Sequence, residues 1–143
     1  SLQERHGLRM RHSSGMTELA PLGTVCNVPS DMCDAPEQEQ YDLRVKQGFP
    51  APFIEIRARG EEGFVPWDGK SVGELEVRGP WVASGYHNTD EGAAAFTDDG
   101  WFRTGDIVSI DERGCVQIQD RAKDVIKSGG EWISSVALEN ALM

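Results

Sequence analysis

The sequence predicts a mostly β chain: the tail of an α/β unit, then a small barrel or sandwich of short strands, then the start of an α+β unit. Three observations carry this reading. FIEIRA (Phe53–Ala58) and GELEVRG (Gly73–Gly79) alternate apolar with polar residues, the pattern of half-buried strands. Turn signals recur at short intervals, at Asp68–Gly69, Asp99–Gly100 and Glu112–Arg113–Gly114. After Ser134 the pattern becomes helical, with Leu138 and Leu142 on one face and Val136 flanking it.

In order, Leu2–His6 reads as a helix end stopped by Gly7, and Leu8–Met10 as a short buried strand. His12–Glu18 is then the loop beyond that strand, where ligands gather in open α/β sheets. Leu19–Asn27 is expected to be irregular or weakly helical around Pro21 and Gly23. Val28–Asp42, polar and acidic with Pro29 and Pro36, reads as a surface helix or a loop. Gly48, Pro50 and Pro52 shape the approach to the first alternating run. In the second run Leu75 and Val77 take the inner face, which leaves Glu74, Glu76 and Arg78 to solvent. Tyr86–Ala95 reads as a loop and a short helix. Ile107, Val108 and Ile110 pair with Cys115–Gln119 as a β-hairpin, in which Cys115 is a small apolar filler and Trp101 and Phe102 are core. Asp120–Lys123 is a charged turn, Val125–Ile126 a short strand and Gly129–Gly130 a tight loop. Ser134 or Ser135 caps the closing helix.

Composition limits the function classes. A net charge of −10, from 24 acidic and 14 basic residues, argues against a nucleic-acid-binding face. It leaves room for a small anion held by local donors. The three cysteines, Cys26, Cys33 and Cys115, form no close metal pair, and their odd number fits poorly with a disulfide framework. A reducing, cytoplasmic compartment is expected. His6, His12 and His87 lack metal-ligand spacing. No apolar run is long enough to span a bilayer, and no signal-peptide pattern opens the chain. Both ends fall inside helical patterns, so the chain is expected to be a fragment of a longer protein.

Some residues suit chemistry. SSGMTELAP (Ser13–Pro21) offers a glycine for close backbone approach, a hydroxyl at Thr17 and a carboxylate at Glu18. A hard cation such as Mg²⁺ takes oxygen ligands and bridges phosphates; on the residues alone, a serine- and threonine-rich loop with Glu18 capping a helix is the favoured reading. Asp106 can accept two hydrogen bonds from a vicinal diol, or satisfy the amides of a turn. The planar fork of Arg121 pairs with oxygens as lysine cannot, whereas Lys123, Asp124 and Lys127 also read as a solvated charge run. Gly129 and Gly130 permit positive φ, which suits a channel wall or a plain turn.

Three motifs stand in order: SSGMTELAP, GWFRTGD (Gly100–Asp106) and DRAKDVIKSGGEWISSVALENALM (Asp120–Met143). With them the chain resembles the acyl-adenylate-forming enzymes, the superfamily of acyl-CoA synthetases, firefly luciferase and nonribosomal peptide synthetase adenylation domains. GGEWISSVALEN most resembles the fatty acyl-CoA synthetase branch. The resemblance implies the end of an α/β nucleotide-binding subdomain over residues 1–40, a distorted β-barrel over 41–119, and the hinge and start of a C-terminal domain over 120–143. It implies ATP-dependent activation of a fatty acid, then thioester formation with coenzyme A, with Mg²⁺ as metal and AMP as product; both half-reactions then need residues outside this chain, and the fragment alone is expected to be inactive.

By the same resemblance, Gly15 and Met16 line the nucleotide pocket, Thr17 and Glu18 are catalytic, Thr17 contacts the α-phosphate, and Glu18 holds Mg²⁺. Asp106 binds the ribose hydroxyls with Arg121 nearby. Asp120 is the hinge and Lys123 helps lock domain orientation. Gly129, Gly130 and Glu131 line the coenzyme A passage. The implied partners are ATP, a carboxylic acid and coenzyme A, with no nucleic acid; the family also admits peripheral membrane contact and a homo-oligomer. One departure is Ser14, where the family usually places a Tyr or Trp that stacks on adenine. Three other readings stay open: a sulfur-containing or aryl acid as substrate, a non-catalytic nucleotide-binding domain of the same fold, and an unrelated structural β domain.

Overall fold

The computed structural model describes residues 5–8, 10–87, 91–128, 131–133, 135 and 138–139. β1 (Ser13–Gly15), β2 (Leu22–Val25) and β3 (Phe49–Pro50) form an antiparallel three-stranded sheet in that order. Between β2 and β3 lies α1 (Glu37–Arg44), which Pro36 introduces. Acidic Glu37 and Glu39 in its first turn and Arg44 in its last complement the helix dipole. β4 (Glu55–Arg59), β5 (Val72–Arg78), β6 (Phe102–Ile110) and β7 (Val116–Arg121) form an antiparallel meander of four strands. β8 (Ile126–Ser128) and β9 (Glu131–Ile133) pair as a hairpin.

The barrel expected over residues 41–119 is not formed: the sheets of the described residues are open. Turn spacing reports which neighbours make hairpins. Closure needs the first and last strands of the meander to pair, and local pattern is silent on that. Here β4 is met at its outer side by Phe64, opposite Arg59, and β7 is met by Gly48, opposite Val116. That second bridge joins the two sheets, with Val116 N donating to Gly48 O (2.8 Å) and Gly48 N to Val116 O (3.2 Å).

Leu19, Ile54, Ile56, Leu75, Val77, Phe102, Val108, Ile110 and Val116 fill the main core, with Met16 packed against it. A second cluster of Cys26, Leu43 and Cys115 seats α1. Several expectations change. Leu8 and Met10 are not in a strand and are 53% and 70% exposed; the strand lies later, within the expected loop. β2 replaces the irregular segment expected after Leu19. Phe53 sits in a turn at φ 65°, so the first alternating strand begins at Glu55. Cys115 is buried just before β7, and Asp120 and Arg121 end that strand instead of forming a turn.

Glu76 is the sharpest reversal, because it is fully buried where solvent was expected. Arg57 on β4 and Arg103 on β6 stand directly opposite it. Its carboxylate accepts from Arg57 Nε (2.5 Å) and Arg59 Nε (2.7 Å). The guanidiniums stack over rings, Arg57 on Trp101 and Phe64, and Arg59 on Phe64. Long cationic side chains thus roof the polar face of the sheet and take the carboxylate out of water.

Candidate active site

The first group of candidate residues is set by the join between β1 and β2. Ser14 pairs with Thr24, and the register shifts at Gly15, which pairs with Leu22. A Cβ at Gly15 would run into the Pro21 carbonyl, so the position admits only glycine. Met16 N donates to Pro21 O (2.9 Å), and Thr17–Leu19 form one 3₁₀ turn. Leu19 and Met16 dock that turn onto the core of the four-stranded sheet. Thr17 is left exposed and Glu18 half-buried.

Glu18 is held at both ends. Its backbone oxygen accepts from Ala83 N (2.8 Å), and its Oε1 accepts from the Tyr86 hydroxyl (2.5 Å). The Tyr86 hydrogen bond keeps the Glu18 carboxyl below its ordinary range, and burial opposes this weakly. Tyr86 was missed in the sequence. It lies 68 residues from Glu18, in a glycine-led loop with no periodicity to mark it.

The second group sits at a bulge. On β5, Leu75 alone faces Thr104, Gly105 and Asp106 of β6, because Glu74 pairs with Ile107 and Glu76 with Arg103. Gly105 makes the kink at φ 73°, a conformation that favours glycine. Thr104 Oγ1 fastens it, donating to Leu75 O (2.9 Å) and accepting from Asp106 N (3.1 Å).

The bulge leaves Asp106 3% exposed and opposite Arg121 of β7. Arg121 Nη1 lies 2.7 Å from Asp106 Oδ1, yet no N–H is aligned with that oxygen, so Oδ1 is ion-paired without a hydrogen bond. Burial pushes the Asp106 carboxyl up from its ordinary value, and Arg121 pulls it back. A buried carboxylate with an oxygen short of donors fits a vicinal diol.

Asp120 is also buried. Its Oδ1 accepts from Arg121 N (2.7 Å), and its Oδ2 from Ser135 N (2.6 Å) and Ser135 Oγ (2.8 Å). Ser135, expected as a helix cap, is thus tied back to the end of β7. Ser134 lies outside the described residues. Lys123 is exposed in the turn closed by Asp124 N and Arg121 O (2.9 Å). Asp120, Arg121, Lys123, Ser135 and Glu139 line an open hollow of about 850 Å³.

The structure thus sets Gly15 at the end of β1, Met16 just before the 3₁₀ turn and Thr17 and Glu18 on it, and it brings Asp106, Asp120 and Arg121 together at one end of the β6–β7 hairpin. No hydrogen bond or ion pair joins Glu18 to Asp106 among the described residues. An aromatic run connects their surroundings: Tyr86 meets Phe96 edge-on with centroids 6.3 Å apart, and Phe96 meets Phe102, the first residue of β6, at 5.3 Å. Gly129 and Gly130 lie outside the described residues, and Glu131 is placed by its backbone pairing with Ser128.

Among the described residues no three His, Cys, Asp or Glu side chains cluster as a complete metal cage. Mg²⁺ does not require one, since it binds through one or two carboxylates with phosphate and water oxygens. The held carboxylate of Glu18 fits that manner of binding.

The AMP-binding enzyme family profile matches residues 1–87. The long-chain-fatty-acid–CoA ligase of Thermus thermophilus is 49% identical over 142 residues, covering 98% of this chain and 26% of that protein. The 3-methylmercaptopropionyl-CoA ligase of Ruegeria lacuscaerulensis is 43% identical over 142 residues, with 98% and 26% covered. Among solved structures, the O-succinylbenzoate coenzyme A synthetase of Bacillus subtilis in complex with ATP and a magnesium ion superposes with a TM-score of 0.75. It is 27% identical, over 99% of this chain and 27% of that one. The chain spans about a quarter of the length of the curated relatives it matches. With more than half of its residues matched by the family profile, the chain belongs to the AMP-binding enzyme family.

Proposed function

We propose that the whole protein carrying this chain joins a carboxylic acid to the α-phosphate of ATP, releasing pyrophosphate. It then passes the acyl group from the adenylate to the thiol of coenzyme A, releasing AMP. The observation that carries this reading is Asp106, a buried carboxylate beside Arg121 with an oxygen that accepts no hydrogen bond. In this role Asp106 accepts from the ribose hydroxyls, and Arg121 keeps it ionised and offers its remaining N–H groups to nucleotide oxygens. Gly15 and Met16 form a backbone wall that the nucleotide can approach closely. Thr17 donates its hydroxyl to the α-phosphate, where charge grows during attack by the acid. Glu18 holds Mg²⁺, which supplies positive charge against the phosphate oxygens when bound.

The same reading makes Asp120 the hinge for a domain swing between the two half-reactions, and Lys123 a partner in ion pairs that fix each orientation. Gly129, Gly130 and Glu131 line the passage for coenzyme A. The divisions near residues 40 and 120, a cytoplasmic location, and any membrane contact or homo-oligomer belong to this proposal as well. For the acid we favour a medium- or long-chain fatty acid, supported by the GGEWISSVALEN run and the Thermus thermophilus relative. A non-catalytic nucleotide-binding domain is the second reading. Ser14 favours it, being half-buried on β1 and unable to stack on a base.

The test supplies the whole protein with ATP, Mg²⁺, coenzyme A and a panel of acids: short to long chain, sulfur-containing and aryl. AMP and thioester are quantified for each. Thioester formed with one chain-length class of fatty acid is the expected result. Thioester with aryl or sulfur-containing acids alone would reassign the substrate. Binding of AMP with no turnover of any acid would give the second reading.

A further inference from the structure

We propose that Tyr86 is a positioning residue for Glu18: its hydroxyl holds one carboxylate oxygen so that the other is presented to a divalent cation. The inference rests on the reading of Glu18 as the carboxylate at the metal. The contact is direct, from Tyr86 Oη to Glu18 Oε1 at 2.5 Å. It is one of two bonds that lace residues 83–86 to the 3₁₀ turn, the other running from Ala83 N to Glu18 O at 2.8 Å. One bond fixes the backbone of Glu18 and the other fixes its side chain. With Oε1 engaged, Oε2 remains as the acceptor for a ligand.

The hydroxyl is itself well placed. The Tyr86 ring packs edge-on against Phe96, and Phe96 packs on Phe102 of β6. Phe96 is also bridged to Phe102 through the backbone. The tyrosine thus spans from the sheet that carries Asp106 to the turn that carries Glu18. Its ring alone accounts for the packing, and a phenylalanine would fill the same contact with Phe96. Packing does not require the oxygen, whereas orienting a carboxylate does. A flexible glutamate that must meet a cation in one geometry gains from a partner that removes its rotational freedom. Such outer partners of metal ligands typically change metal affinity by about 10- to 100-fold. Tyr86 is 46% exposed, so its hydroxyl could also bond to water; its engagement with Glu18 instead is the point of the geometry.

The test uses Tyr86→Phe, Glu18→Gln and the double variant in the whole protein. Mn²⁺ binding in the presence of a non-hydrolysable ATP analogue is measured by electron paramagnetic resonance, beside the Mg²⁺ dependence of pyrophosphate release and the thermal midpoint. Tyr86→Phe is expected to weaken Mn²⁺ binding about 10-fold. It should raise the Mg²⁺ concentration for half-maximal rate, leave the rate at saturating Mg²⁺ nearly intact, and hold the thermal midpoint. In the Glu18→Gln background it should add nothing. If Glu18→Gln weakens Mn²⁺ and Tyr86→Phe does not, the positioning role is overturned and the reading of Glu18 survives. If Glu18→Gln leaves Mn²⁺ binding unchanged, both fall.

Discussion

Asp106→Asn separates a carboxylate kept for binding from one kept for folding. Asp106 is 3% exposed, and burial raises its carboxyl pKa while Arg121 opposes the shift. A group whose folded pKa lies above its unfolded value gives stability that is complete below the unfolded pKa and lost as pH rises through the folded one. At neutral pH the ionised side chain therefore weighs against the fold, and an amide of the same shape removes that weight. What the variant loses is the ion pair to Arg121, whose side chain is 54% exposed and can return to water. The pair is exposed on its Arg121 side only, and that end regains water when the charge opposite goes, which leaves a loss of about 0–1 kcal/mol; the variant should match the native unfolding free energy to within about 1 kcal/mol.

Nucleotide binding should move the other way. A hydrogen bond to a charged acceptor is worth about 1.5–3 kcal/mol, so losing one weakens AMP roughly 10- to 150-fold. Urea unfolding and AMP calorimetry on the whole protein read the two effects separately. The stability gap between the two proteins should close as pH falls and Asp106 takes up its proton. A variant that loses about 2 kcal/mol or more, the size of a broken buried hydrogen-bond network, yet binds AMP normally would make Asp106 a structural turn residue and refute the argument.

Two further outcomes follow from the geometry. Glu76→Ala should cost about 1.5–3 kcal/mol in urea unfolding, because Arg59 loses its acceptor and Arg57 keeps only Asp99. Glu55→Ala, whose pair with Arg78 lies in solvent, should show no measurable change, and equal losses in the two would defeat this account. Ser14→Trp should tighten AMP by about 2- to 10-fold, the worth of one stacked aromatic pair. Unchanged or weaker binding would mean that position 14 does not face the base.

The strands were legible where their pattern is local. β4 and β5 alternate cleanly, and Leu75 and Val77 are buried as the alternation requires. β6 was caught only from Ile107 onward, because the bulge at Gly105 interrupts the alternation that begins at Phe102. Leu8 and Met10 have the composition of a buried strand, but burial depends on a neighbouring sheet, and apolar residues without one stay at the surface. Glu76 failed for the converse reason. Its environment is made by arginines on the two flanking strands, and a period-two reading of β5 alone does not contain them.

The candidate site was legible as separate motifs, and a single residue decides how two of them meet. From Ile110 to Val108, β6 pairs with Val116 to Ile118 in one unbroken register. Continued without interruption, that register would set Asp106 opposite Asp120. Like charges directly opposite on one face repel, and both of these carboxylates are buried. Gln119 intervenes as an extra residue on β7, held by its Nε2 donating to Ser109 Oγ (3.0 Å). The shift sets Asp106 opposite Arg121 and moves Asp120 opposite Ile107, where its oxygens take the amide of Arg121 and the amide and hydroxyl of Ser135. One inserted residue thus converts a repulsive pair into an ion pair and frees the second aspartate to tie the end of the hairpin to the segment beyond it. The chemistry of Asp106 and the anchoring by Asp120 are consequences of the same bulge, and the motif spacing in the sequence records neither.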